Sequence, residues 1–154
     1  VLYLAESPTL CLQEVLAVFD LPGQKSPPVS NPRTGAWTVF AIRVRLGHAI
    51  DLSDPGEVGV LDSSFQELTG DWRGYALRNP GRRAGTAPTQ LLGSALFRRP
   101  RVEGILTYSA REPQSRNLVV FPTKLRPGSA VELVDPETGR GQRLGPGGAL
   151  TPIP

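Results

Sequence analysis

The stretch Val1-Leu2-Tyr3-Leu4-Ala5-Glu6-Ser7-Pro8-Thr9-Leu10 changes character in its middle. Val1 to Ala5 is an apolar run of strand length. Ser7 then offers a side-chain oxygen to the first free N–H groups of a helix. Pro8 follows at the first helical position, where its missing N–H does no harm. The pattern predicts a strand turning straight into a helix that runs to about Asp20 and stops before Pro22-Gly23. Cys11, Val15, Val18 and Phe19, widened by Leu12 and Leu16, form its expected apolar stripe, with Thr9, Gln13 and Asp20 opposite. At about 100° per residue Glu14 falls on the shoulder of that stripe, neither sealed in a core nor plainly solvated.

Residues 23–36 are rich in Pro, Gly, Ser and Asn and read as a loop. Trp37 to Leu46 alternates as a strand, with Phe40, Ile42, Val44 and Leu46 on one face and Arg43 and Arg45 on the other. Ser53-Asp54-Pro55 starts a short helix, and Ser63 or Ser64 caps a further turn through Phe65 and Leu68. Thr69 to Leu77 reads as helical and 78–88 as a basic loop. Thr86 and Pro88 then open a helix whose apolar side is Leu91, Leu92, Ala95 and Leu96. Strands are expected at Gly104–Ser109, Leu118–Phe121 and Ala130–Val134. With no regular βαβ alternation and no repeat, the class is α+β. One domain over 1–144 is expected, followed by a loose tail, 145–154, in which Gly145-Pro146-Gly147-Gly148 reads as linker.

A chain of 154 residues fits one domain. With 39% hydrophobic and 20% charged residues it is globular in balance, and its 17 glycines and 16 prolines argue against a bundle or coiled coil. It holds no apolar run of about 18 residues and no charged-then-apolar opening, so neither a membrane helix nor a signal peptide is expected. Cys11 has no partner for an internal disulfide, and with His48 alone beside it no zinc site can form. A reducing cytoplasm is the simplest compartment. The net charge is +3, carried by 15 arginines and the two lysines Lys25 and Lys124. Coding bias and a phosphate-recognising surface both account for that excess. The arginines at 78–83 and 98–101 lack interleaved aromatics, so direct nucleic-acid binding is not expected.

No phosphate loop, dinucleotide fingerprint, serine-hydrolase elbow or zinc-protease motif occurs. Cys11 reads as a small core residue and His48 as a strand or surface residue. Tyr3, Glu14 and Ser109 each admit two readings. Tyr3 is a core tyrosine or a pocket wall, Glu14 a solvated glutamate or a catalytic one, and Ser109 a strand terminator or a ligand contact.

Five stretches in order resemble the RES domain family. They are Leu2–Pro8 with Gln13-Glu14-Val15; Phe40–Leu46; Ile50–Asp54; Thr89–Gly93; and Gly104–Arg111 followed by Asn117–Phe121. The likeness covers most of residues 1–125. It implies an ADP-ribosyltransferase-like fold and a toxin of a toxin–antitoxin pair. Such a toxin consumes NAD by phosphorolysis or hydrolysis, or transfers its ADP-ribose, and is neutralised by an Xre-like antitoxin. A homodimer is a further expectation. Position by position, the resemblance implies Glu14 as the essential carboxylate, with Tyr3 against the nicotinamide or its ribose. It also implies Ser109 holding the substrate and Arg111 as a substrate-binding neighbour. The family pattern places two arginines before the first strand, where this sequence has no matching residues. The expected consequences are a longer chain, an inactive RES-like protein-binding module, or replacement by Arg43, Arg45 or Arg111.

Overall fold

The computed structural model describes residues 1–19, 37–70, 87–135 and 137–153. Strand β1 (Leu2–Ala5) passes through a one-turn corner into α1 (Pro8–Phe19), where Ser7 Oγ accepts the Leu10 N–H at 3.1 Å, the cap read from the sequence. Then come β2 (Ile42–Arg45), β3 (Ala49–Asp51), α2 (Pro55–Val60), α3 (Phe65–Thr69), α4 (Pro88–Phe97), β4 (Gly104–Tyr108) and β5 (Arg116–Val120). β6 (Ala130–Val134), β7 (Gly141–Leu144) and β8 (Leu150–Ile153) complete the order, and the fold is α+β. Asp54 caps α2 through the Gly56 N–H, and Ser64 caps α3 through the Glu67 N–H, both at predicted positions. No helix among the described residues is long and apolar enough to cross a membrane.

The first sheet has the order β1-β5-β4-β3, with β3 parallel to β4 and the other pairs antiparallel. Its register sets Tyr3 opposite Val119 and Val119 opposite Ile105; the next inward row is Ala5, Asn117 and Thr107. Side chains alternate along strands, so these rows share one face while Leu2, Leu4, Leu118 and Val120 share the other. The second sheet, β2-β6-β7-β8, packs on that other face: Val120, Leu125 and Val131 form a core with Leu2, Leu4, Ile42, Val44 and Leu144. On the Tyr3 face α2, α3 and α4 lay Val58, Phe65, Leu68, Leu92 and Leu96 against Ile105, Val119 and Phe121. Each fully buried aliphatic side chain, such as Val120, contributes ~1.5–3 kcal/mol.

Several sequence expectations change. The buried line of α1 is Leu10 and Ala17, with Glu14 half-buried between them; Cys11, Leu12, Val15 and Leu16 are only half-buried flanks. Counting apolar residues placed the stripe one side too far, because a carboxylate occupies the centre of the inward face. Residues 37–41 are not strand, and Trp37 and Phe40 are exposed. On α4 Leu96 is buried and Leu92 half-buried, whereas Leu91 and Ala95 are exposed. Beyond Gly70, the helix read over Thr69–Leu77 lies outside the described residues, as do the loop 23–36 and most of 78–88.

The expected loose tail is instead built into the second sheet. β8 pairs with β7 from Gly141↔Ile153 to Leu144↔Leu150. The supposed linker is a 3₁₀ turn, Pro146–Gly148, whose Gly147 and Gly148 take φ of +65° and +81°. Only glycine enters that region without strain, so the glycines specify the turn.

Glu103, fully buried at the head of β4, pins the loops together. One oxygen accepts the Gly47 and His48 N–H groups at 2.6 and 2.9 Å; the other accepts the Arg126 N–H at 2.6 Å and the Ser129 hydroxyl at 2.8 Å. Burial pushes this carboxyl up, and the hydrogen bonds more than offset it, leaving the group below its ordinary value.

Candidate active site

Halfway along α1, Glu14 reaches down to the inward face of the first sheet. Its Oε1 accepts the Ser109 hydroxyl at 2.6 Å and the Asn117 side-chain amide at 2.7 Å. Ser109 directly follows β4 and is fully buried; its Oγ also accepts the Arg111 N–H at 2.9 Å and the Glu112 N–H at 3.3 Å. The hydroxyl therefore closes the Ser-Ala-Arg turn while it spends its one proton on Glu14. Asn117 is 1% exposed in the middle of the sheet, and its Oδ1 has no hydrogen-bond partner among the described residues. Both donors meet the same carboxylate oxygen. Glu14 also lines a cleft of about 1000 Å³ between the first sheet and the helices.

Tyr3 lines the same cleft. Because β1 is the sheet's edge, 54% of its surface is exposed. Burial of its phenol, and then the Glu14 carboxylate, push its pKa up to about 12, so the hydroxyl stays protonated at neutral pH. Across the floor stand Thr107 and Tyr108, the latter set edge-to-face on Phe65 with ring centroids 5.6 Å apart. A salt bridge of 3.1 Å between Glu6 and Arg116 ties the ends of β1 and β5 beside these groups.

The structure thus brings Tyr3, Glu14, Ser109 and Arg111 into one region. Ser109, expected to help hold the substrate, lies beneath Glu14 and donates to its carboxylate, outside the residues that line the cleft. Arg111 does line the cleft. Arg43 and Arg45 do not: they are exposed on β2, in the sheet stacked on the opposite face, and Arg43 pairs with Glu132 at 3.7 Å. Asn117 and Arg98 are cleft or site residues that sequence reasoning missed. Asn117 stood in a quoted stretch beside a strand, and Arg98 in an arginine cluster at a helix end; neither setting marks a site by itself. Among the described residues no group of three or more His, Cys, Asp or Glu side chains could hold a metal ion.

The pattern that defines the RES domain matches residues 1–140, a span that holds the strand-to-helix corner, the first sheet, β2 and β6 of the second, and every residue named above as lining the cleft. The chain belongs to that family. No curated protein and no solved structure matches it.

Proposed function

We propose that this RES domain is a toxin-type enzyme that acts on NAD at the bond between nicotinamide and ribose. The observation that carries the reading is the Glu14 carboxylate, tethered through one oxygen beside a broad cleft and next to an exposed aromatic ring. When the C1′–N bond breaks, its electron pair leaves with nicotinamide, and the ribose carbon becomes oxocarbenium-like. A fixed negative charge beside that carbon lowers the barrier without having to reorganise. Ser109 and Asn117 supply the fixing: among the described residues the donors to Glu14 both fall on Oε1, which leaves Oε2 for the substrate side. Tyr3 offers a neutral ring to the flat cationic base. Arg111 suits the phosphates. The acceptor, which is water, inorganic phosphate or a protein side chain, closes the new bond to C1′ and gives up its proton.

The family resemblance supports an Xre-like antitoxin as protein partner, and a homodimer fits the same reading. A lone cysteine, Cys11, supports a reducing cytoplasm.

Incubation with NAD, with nicotinamide followed in the presence and absence of phosphate, tests the reading. Release in both conditions means hydrolysis or, where ADP-ribose stays on protein, transfer to a side chain; release only with phosphate means phosphorolysis. The Glu14→Gln variant is expected to release nicotinamide about 10²–10³ times more slowly. Full activity in that variant removes Glu14 from its role. No release from the folded wild-type chain favours instead the inactive, protein-binding module.

A further inference from the structure

The cleft does not end at Glu14. Its floor follows β5 past the Asn117 row to Val119 and then to Phe121, which continues on the same face. Four residues of strand from Asn117 to Phe121 span roughly 13 Å. At that far end stands the C-terminus of α4. Phe97 is 45% exposed and lies edge-to-face on buried Phe121, with centroids 5.1 Å apart. Arg98 follows it and lines the cleft. Lys124 holds the helix end in place, donating to the Phe97 and Arg99 carbonyls, with its Nζ 5.2 Å from the centre of the Phe97 ring. An exposed ring braced from below, beside a guanidinium and with the Ser94 hydroxyl one turn back, suits a flat heteroaromatic group that carries phosphate.

We propose that this end of the cleft is an adenine-nucleotide subsite, in which Phe97 takes the base and Arg98 the phosphate on its adenosine side, with Arg111 left to the phosphate nearer Glu14. This rests on the reading of Glu14 as the reacting end, and it gives the cleft a direction. The ribosyl bond to be broken lies on the α1 side and the adenylate half on the α4 side. Phe97 and Arg98 then determine the preference for a dinucleotide over a mononucleotide.

Calorimetric binding of ADP-ribose and of nicotinamide mononucleotide to the Glu14→Gln protein tests the subsite without turnover. Phe97→Leu keeps an apolar side chain on Phe121, and Arg98→Gln changes an exposed residue, so both variants should fold; circular dichroism checks this. Each is expected to weaken ADP-ribose about tenfold while nicotinamide mononucleotide stays within about twofold. Equal losses for the two ligands, no loss for either, or no ADP-ribose binding to the parent protein overturns the subsite. The two proposals fail separately. ADP-ribose binding without nicotinamide release keeps the subsite and removes the reaction. Release at equal kcat/KM from NAD and from nicotinamide mononucleotide keeps the reaction and removes the subsite.

Discussion

Glu103 and Glu14 both bring a carboxylate to the inside of the molecule, one at the head of β4 and one in mid-α1, and their oxygens meet different surroundings. Both oxygens of Glu103 are occupied, by three backbone N–H groups and the Ser129 hydroxyl, and the side chain is sealed from solvent. At Glu14 both donors fall on Oε1, and the residue borders a cleft. Each has a serine that donates to it and accepts backbone N–H in turn: Ser129 from Gly47, Ser109 from Arg111 and Glu112. The difference lies in how many donors the chain supplies. A carboxylate saturated by its own chain stabilises a junction of loops; one restrained by a single oxygen keeps capacity for something else.

The largest effect should come from breaking the saturated site. Glu103→Ala takes the acceptor away from the His48 and Arg126 N–H groups and the Ser129 hydroxyl, while the Gly47 N–H keeps Ser129 Oγ, at ~1–3 kcal/mol for each that water cannot reach. A total loss of ~3 kcal/mol or more is expected, which lowers Tm by roughly 6 °C or more. Glu14→Gln should move Tm by less than about 2 °C in the same thermal melts. Reversed magnitudes would break the contrast between the two residues. Acid sharpens it further. Because the folded carboxyl of Glu103 lies below its ordinary value of 4.5, its contribution is complete above that pH and is lost as pH falls through the folded value. Urea titrations at falling pH should show this component in the wild type and not in Glu103→Gln.

Next in size is the restraint on Glu14. Asn117→Leu removes one of its two donors and should lower kcat for nicotinamide release about tenfold, with KM little changed. Asn117→Asp sets a second carboxylate against the first and should lower the same kcat further than Asn117→Leu. An asparagine that merely fills space would tolerate leucine with kcat unchanged.

The smallest effect is spectroscopic. Titration of the tyrosinate absorbance should reveal one group ionising near pH 12 that is absent from Tyr3→Phe. In Glu14→Gln that group should ionise earlier, because the carboxylate's charge is the second cause of the shift after burial. The sign for stability follows from the raised value. Tyr3's contribution is complete below its ordinary value of 10 and fades as pH climbs towards 12.

What could be read in the sequence was local. Ser7 with Pro8, Asp54 with Pro55, and Ser63 or Ser64 announced three helix starts, and alternation announced β2, because caps and periods act over a few residues. Tyr3 and Glu14 were legible as candidates through the family resemblance, which falls on a strand and a helix in immediate succession and so includes their separation. The partners that give Glu14 its meaning lie 95 and 103 positions away. Those of Glu103 lie up to 56 away. No periodicity reports contacts at such range. β7 and β8 escaped notice for a related reason: glycine-rich text reads as slack until a neighbouring strand supplies its hydrogen bonds.

Pro152 sits in β8, the outer strand of the second sheet, opposite Gln142. A proline fits a ladder only where its nitrogen faces away from the partner strand. The open margin of that sheet therefore lacks one of the donors on which another chain could nucleate. That single missing hydrogen makes the margin a poor template for adding a fifth strand to this sheet, and so guards the protein against edge-to-edge aggregation at high concentration.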